Sequence, residues 1–206
     1  PMASAVLPPH PGLPANPFPL TLPPLLLPQN PLAALSALQN NNNAQTLSAW
    51  LTRLHQAPRK RSYAGTYVVW SAAGTLSSAR IWHVCDGEQQ LERVDLLTGQ
   101  ARSTFRRDTE VVTFLPERRV VRSEQRESLG LFPQLLSTGD AALADFYQLT
   151  VLGRDRVAGV QTEVVLLQPR DAWRYGYRVW SEHSSGLVVK LQTLGSDGRV
   201  LEQAAF

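Results

Sequence analysis

His83 and Cys85 lie two residues apart, on one face of a segment that alternates Ile81, His83 and Cys85 against Trp82 and Val84. An imidazole and a thiol at that spacing could give two metal ligands, or a base and a nucleophile. Neither chemistry is completed elsewhere. The other histidines, His10, His55 and His183, are remote in sequence, and no Cys-x-x-Cys or His-Glu-x-x-His pair adds ligands. There is no Gly-x-Ser-x-Gly elbow and no phosphate loop. Glu124 and Glu127 sit among arginines, where surface ion pairing is the simpler role. The chain therefore reads as non-enzymatic, with no cofactor and no metal. Cys85 is the only cysteine, so no intramolecular disulfide can form.

Arginine and aromatic residues are interleaved twice, at Arg102, Phe105, Arg106, Arg107 and at Arg174, Tyr175, Tyr177, Arg178. Single-strand nucleic-acid binders combine these side chains. A net charge of only +3 and the lack of any module motif argue against nucleic acid. Lys60 and Lys190 are the only lysines, so almost every cation is an arginine, suited to forked contacts with carboxylate or phosphate. An amphiphile fits this chemistry. Trp70, Trp82, Phe114, Leu131, Phe132, Tyr177 and Trp180 are the candidate lining of an apolar groove. Arg102, Arg106, Arg118, Arg122 and Arg178 are the candidate contacts for its anionic group or for a protein partner. An extended peptide in a groove or along a sheet edge is the competing occupant.

The elements that would carry these residues are mostly strands. Residues 1–45 hold 11 of the 15 prolines and no charged residue, and are expected to be a disordered leader or linker. Leu47, Trp50, Leu51 and Leu54 then form one helical stripe, with Asn43 or Thr46 as N-cap and Pro58 beyond the last turn. From Tyr63 onward the pattern is period two. Strands are expected over 63–71, 77–86, 89–97, 101–107, 110–115 and 118–123, then over 147–156, 160–168, 174–181, 185–193 and 200–206. Asp86-Gly87, Thr98-Gly99, Ala158-Gly159 and Asp197-Gly198 mark the reversals. In the hairpin around Gly186, Tyr175, Tyr177 and Val179 alternate with Arg174, Arg178 and Trp180, so both faces carry large apolar groups. That predicts a curved sheet with something in its hollow. Residues 128–147, with Leu129, Leu131, Phe132, Leu135 and Leu136, break the strand pattern and are expected to form a lid whose short helix is capped by Asp140. The fold class is mainly β (α+β): an open, curved antiparallel half-barrel with a few helices over its concave face.

Several blocks in order resemble the MucB/RseB family: Arg80-Ile-Trp-His-Val-Cys-Asp-Gly87, Arg102-Ser-Thr-Phe-Arg-Arg107, Val111-Val-Thr-Phe-Leu-Pro116, Glu127-Ser-Leu-Gly-Leu-Phe-Pro133, Tyr175-Gly-Tyr-Arg-Val-Trp180 and Ser185-Gly-Leu-Val-Val-Lys-Leu-Gln-Thr193. The resemblance runs from about Leu47 to Phe206, which makes 46–206 the expected family domain, one that resembles the lipoprotein carrier LolA. It implies a regulator in the periplasm of a Gram-negative bacterium that binds the periplasmic region of a membrane-spanning anti-sigma factor and shields it from proteolysis. Lipopolysaccharide or another amphiphile would release it. A lipoprotein or lipid carrier of the LolA type is the alternative, and homo-oligomerisation stays open. Family members continue into a smaller C-terminal domain, and the sequence stops at Phe206, where the first domain should end.

Overall fold

The computed structural model describes residues 31–126, 129 and 143–206. The expected lid falls mostly outside them, as do Leu131, Phe132 and Asp140. Helix α1 (Pro31–Arg59) is followed by β1 (Tyr63–Ser71), β2 (Leu76–Cys85), β3 (Gln90–Leu96), β4 (Ser103–Arg107), β5 (Glu110–Leu115) and β6 (Val120–Gln125). After the short α2 (Leu143–Phe146) come β7 (Tyr147–Val157), β8 (Val160–Pro169), β9 (Gly176–Glu182), β10 (Val188–Leu194) and β11 (Val200–Ala205). All pair antiparallel in one open sheet of order β6-β5-β4-β3-β2-β1-β11-β10-β9-β8-β7. An open antiparallel sheet with few helices is the expected fold class. The glycines of all four turn dipeptides have positive φ, at 98° for Gly87, 77° for Gly99, 82° for Gly159 and 77° for Gly198.

The helix starts at Pro31, well before the expected Asn43, and so takes in part of the segment read as a leader. Proline at the first helical position loses nothing, because its missing N–H would be an orphan there. Residues 32–57 hold no further proline. The expected caps lie inside the helix. Thr46 Oγ1 donates back to the Asn42 carbonyl at 2.8 Å. Asn43 instead bridges to β7: its Nδ2 donates to the Tyr147 carbonyl at 3.0 Å and its Oδ1 accepts from Leu149 N at 3.1 Å. The amide thereby pairs the start of an edge strand. Asn43→Ala removes both bonds and is expected to cost about 1–2 kcal/mol, read as a lower urea midpoint with an unchanged m-value.

The stripe predicted on α1 is the centre of the core. Leu47, Trp50, Leu51 and Leu54 pack with Ala144, Tyr147, Val165, Leu167, Val179 and Leu191. Helix α1 thus seals one face of β7–β10. Its C-terminal end reaches β2, where the Pro58 carbonyl meets His83 Nε2 at 2.6 Å. Tyr147 begins β7 and is buried, while Phe146 is exposed. Phe146 carries the Arg174 guanidinium 4.0 Å from its ring centroid.

Candidate functional site

Residues paired directly across antiparallel strands point to the same side, so the register fixes what each face carries. Tyr177, Val179, Val165, Leu167 and Leu191 meet α1. Following their parity through Leu191–Ala204–Val69 assigns the α1 side across the rest of the sheet. One row there runs Tyr67, Ala79, Leu96 and then Arg102, whose carbonyl accepts from Leu96 N at 2.9 Å. The next runs Gly65, Ile81, Val94, Thr104, Thr113 and Arg122. A third runs Tyr63, His83, Glu92, Arg106, Val111 and Glu124.

Phe206 folds over these rows. Its ring lies 6.3 Å from the Tyr63 ring and 5.9 Å from the Tyr67 ring, centroid to centroid. A Cβ at Gly65 would stand 2.8 Å from the Phe206 ring, so glycine is what lets the aromatic lie flat on β1. Burial pushes the Tyr67 hydroxyl above its ordinary pKa, and the Arg102 charge pulls part of the way back. Tyr67, Leu96, Val94 and Phe206 are half-buried, and Arg102 and Arg122 at the row ends are exposed. An apolar strip with arginines at its margin is the chemistry expected of an amphiphile site; Arg102 and Arg122 are candidates the sequence offers, whereas Tyr67, Leu96, Val94 and Phe206 are not.

The third row holds a buried polar cluster. Glu92 Oε1 lies 2.9 Å from His83 Nδ1, and Glu92 Oε2 accepts from Arg106 Nε at 2.7 Å. Arg106 also donates to the Asp108 carbonyl at 2.5 Å and to Gln90 Oε1 at 3.0 Å. Tyr63 stacks on the His83 ring at 4.8 Å. Burial pushes the Glu92 carboxyl up, but the hydrogen bonds and charges of His83 and Arg106 outweigh it and hold the group below its ordinary value. Burial and the Glu92 charge push the Tyr63 hydroxyl well above its ordinary value. His83 and Arg106 are thus fully engaged in tying α1 to β2, β3 and β4.

The candidate site residues are therefore redistributed. Tyr177 faces α1. Trp70, Trp82, Phe114 and Trp180 pair on the opposite face, so these candidates do not line one groove together with Tyr177. Trp180 is buried there, with its Nε1 donating to Asp155 Oδ2 at 2.9 Å and Lys190 Nζ 4.3 Å from its ring centroid. Arg93 Cζ lies 5.1 Å from the Trp82 ring and 5.3 Å from the Phe105 ring, and Phe105 meets Phe114 edge-on at 5.6 Å. The interleaved arginines and aromatics of β2–β4 stack on one another rather than waiting for bases.

Among the candidate cations, Arg102 and Arg122 lie on the α1 side and make no ion pair with a carboxylate among the described residues. Arg106 is structural, and Arg118 lies in a short 3-10 turn (Pro116–Arg118) ahead of β6, not in the strand with Val120 and Arg122. Arg178 lies on the far face, bonded through Nη1 to Gln192 Oε1 at 3.3 Å, and its buried Nε has no partner among the described residues. Both faces of β1 and β9 carry apolar side chains, so the parity could not be chosen from the sequence. The missed residues, Tyr63, Tyr67 and Phe206, had one usable signal: Tyr67 shares its parity with Val69 and Gly65, a glycine in mid-strand.

A separate cleft of about 430 Å³ lies between α1 and the β9–β10 turn, lined by Ala49, Thr52, Arg53, Gln56, Ala57, Lys60, Arg61, Ser184 and Ser185. Arg53 is already bonded to the carbonyls of Glu182 and His183. Among the described residues no three His, Cys, Asp or Glu side chains gather as a metal site, and no helix is long and apolar enough to cross a membrane.

The described residues form one open antiparallel sheet with a long helix packed on one of its faces. Residues 46–206 match the MucB/RseB N-terminal domain, and the chain belongs to that family. It is 31% identical over 183 residues to the sigma factor AlgU regulatory protein MucB of Pseudomonas aeruginosa, covering 88% of this chain and 55% of that protein. It is 26% identical over 155 residues to the sigma-E factor regulatory protein RseB of Escherichia coli, covering 75% and 48%. The structure of the Pseudomonas aeruginosa MucA/MucB complex superposes with a TM-score of 0.64 at 30% identity, over 78% of this chain and 55% of that one. MucB in complex with MucA(peri) gives a TM-score of 0.61 at 31% identity, over 77% and 53%. The chain spans about half the length of the curated relatives it matches.

Proposed function

We propose that this domain is part of a non-enzymatic periplasmic regulator that binds the periplasmic region of a membrane-spanning anti-sigma factor and shields it from proteolysis. The observation that carries this is the family membership, together with the solved complex of a relative, 31% identical, with MucA(peri). In the same proposal, lipopolysaccharide or a similar amphiphile is sensed on the α1 side of β1–β5. Its chain would lie along Tyr67, Leu96 and Phe206, and its anionic group would meet Arg102 and Arg122. Both halves of the surface are supported by the row geometry described above.

The test uses the protein with an anti-sigma periplasmic fragment and a site-specific protease. The expected result is slower cleavage of the fragment, reversed by lipopolysaccharide. Tyr67→Arg puts a charge into the apolar row, and Arg102→Glu inverts the margin. Each should raise the lipopolysaccharide concentration needed for release about 10-fold, the effect of roughly 1.4 kcal/mol, with fragment binding unchanged. A fragment cleaved equally fast with and without the protein would overturn the regulatory reading. Release of both variants at the same lipopolysaccharide concentration as the native protein would move the lipid site elsewhere.

A further inference from the structure

We infer that the outer edge of β6 is a docking strand for an extended acidic peptide segment. This edge shares Arg122 with the proposed amphiphile margin, but its outward backbone groups stand without the Tyr67–Phe206 row. An open sheet has two edges, here β6 and β7. The β7 edge is blunted twice, by Asn43 bonded to Tyr147 and Leu149, and by a register shift between Val151 and Gly153. The β6 edge has neither guard. Its register against β5 is unbroken from Glu110↔Gln125 to Leu115↔Val120, and no described strand pairs with its outer side.

The free backbone groups can be assigned. Arg126 N donates to the Thr109 carbonyl at 2.8 Å, which makes that pair a hydrogen-bonded one. Hydrogen-bonded and non-hydrogen-bonded pairs alternate, so Glu124, Arg122 and Val120 also turn their N–H and C=O groups toward β5. Val121, Ser123 and Gln125 then turn theirs outward, three residues ready to pair with an added strand. All three are exposed.

Charge selects the occupant. Arg118, Arg119, Arg122 and Arg126 flank this edge against Glu117 and Glu124, and Glu124 is already held by Arg126 at 3.2 Å. Arg118, Arg119 and Arg122 have no carboxylate partner among the described residues. The same arginines oppose edge-to-edge pairing of two copies, because like charges would face each other. An incoming strand with acidic side chains beside Arg122 instead gains a charge-assisted pair.

The probe is a capped eight-residue peptide of alternating valine and aspartate, titrated into the full chain. Its aspartates must share the side of Arg122, so in the antiparallel pairing proposed here its valine N–H groups are the ones that face β6. Methylating the valine nitrogens should therefore weaken binding at least 10-fold, while methylating the aspartate nitrogens should leave it unchanged. A lysine-for-aspartate peptide should bind at least 10-fold more weakly. Ser123→Pro removes an outward donor without touching the β5–β6 ladder, so it should reduce affinity at least 10-fold at an unchanged thermal midpoint. Equal binding of the two methylated peptides, equal binding of the lysine peptide, or no binding at millimolar peptide would overturn the inference, and the methylation arm does so without any change to the protein.

Discussion

Glu92→Gln is expected to destabilise the domain by about 3–5 kcal/mol, the scale for breaking a buried ion pair from one side. The variant keeps the shape of the side chain but removes the charge of the carboxylate bonded to Arg106 Nε at 2.7 Å in the native cluster. It also removes the charge from an oxygen 2.9 Å from His83 Nδ1, the ring that reaches Pro58 at the end of α1. The pH dependence has a definite sign. The carboxyl is held below its ordinary value in the folded protein. Its contribution is therefore fully present above the unfolded value, near pH 4.3 for a free glutamate, and is lost as pH falls through the folded value. Urea midpoints measured between about pH 7 and 3 should fall steeply for the native protein below about pH 4. The glutamine variant should begin lower and fall less, and parallel curves would show that Glu92 is not the group responsible.

Leu51→Ala is the second large effect. Leu51 is 0% exposed at the centre of the α1 stripe, against Val179 and Leu191 of the sheet. Truncation should cost about 2–5 kcal/mol through lost transfer energy and the cavity left behind. For a chain of this size that is a fall in Tm of roughly 4–20 °C. Trp173 provides the control. It is 92% exposed, and Trp173→Ala should change stability by less than about 0.5 kcal/mol. Similar shifts for the two variants would mean that α1 contributes little to the folded state.

Strand existence was legible because period two and the turn dipeptides agree. The strands expected over 63–71 and 110–115 are β1 and β5 to the residue. Face assignment was not, for a physical reason. Along β1, Val68 and Trp70 look as well suited to a core as Tyr67 and Val69, and a shift of one residue exchanges the two sets. What decides between them is long-range: the α1 stripe sits on Val179 and Leu191, and pairing carries that parity from β10 through β11 to β1. Arg106 shows the same limit. On the page it is one more arginine beside an aromatic, and only the fold brings Glu92 and His83 to it. The helix start had a local signal, the proline at 31 followed by a proline-free run, but the apolar stripe begins only at Leu47 and drew the boundary inward.

The position of β11 bears on how the domain is made. Residues Val200–Ala205 follow all the other strands of the sheet in sequence, yet they pair with β1 on one side and β10 on the other. During synthesis, β1–β6 and β7–β10 emerge as two meanders built from neighbours in sequence. They cannot become one sheet until β11 arrives between them. Loop closure across well over a hundred residues makes this the slow, late step. Until then both halves show an unpaired inner edge to the surroundings, the time at which a holdase would be needed most.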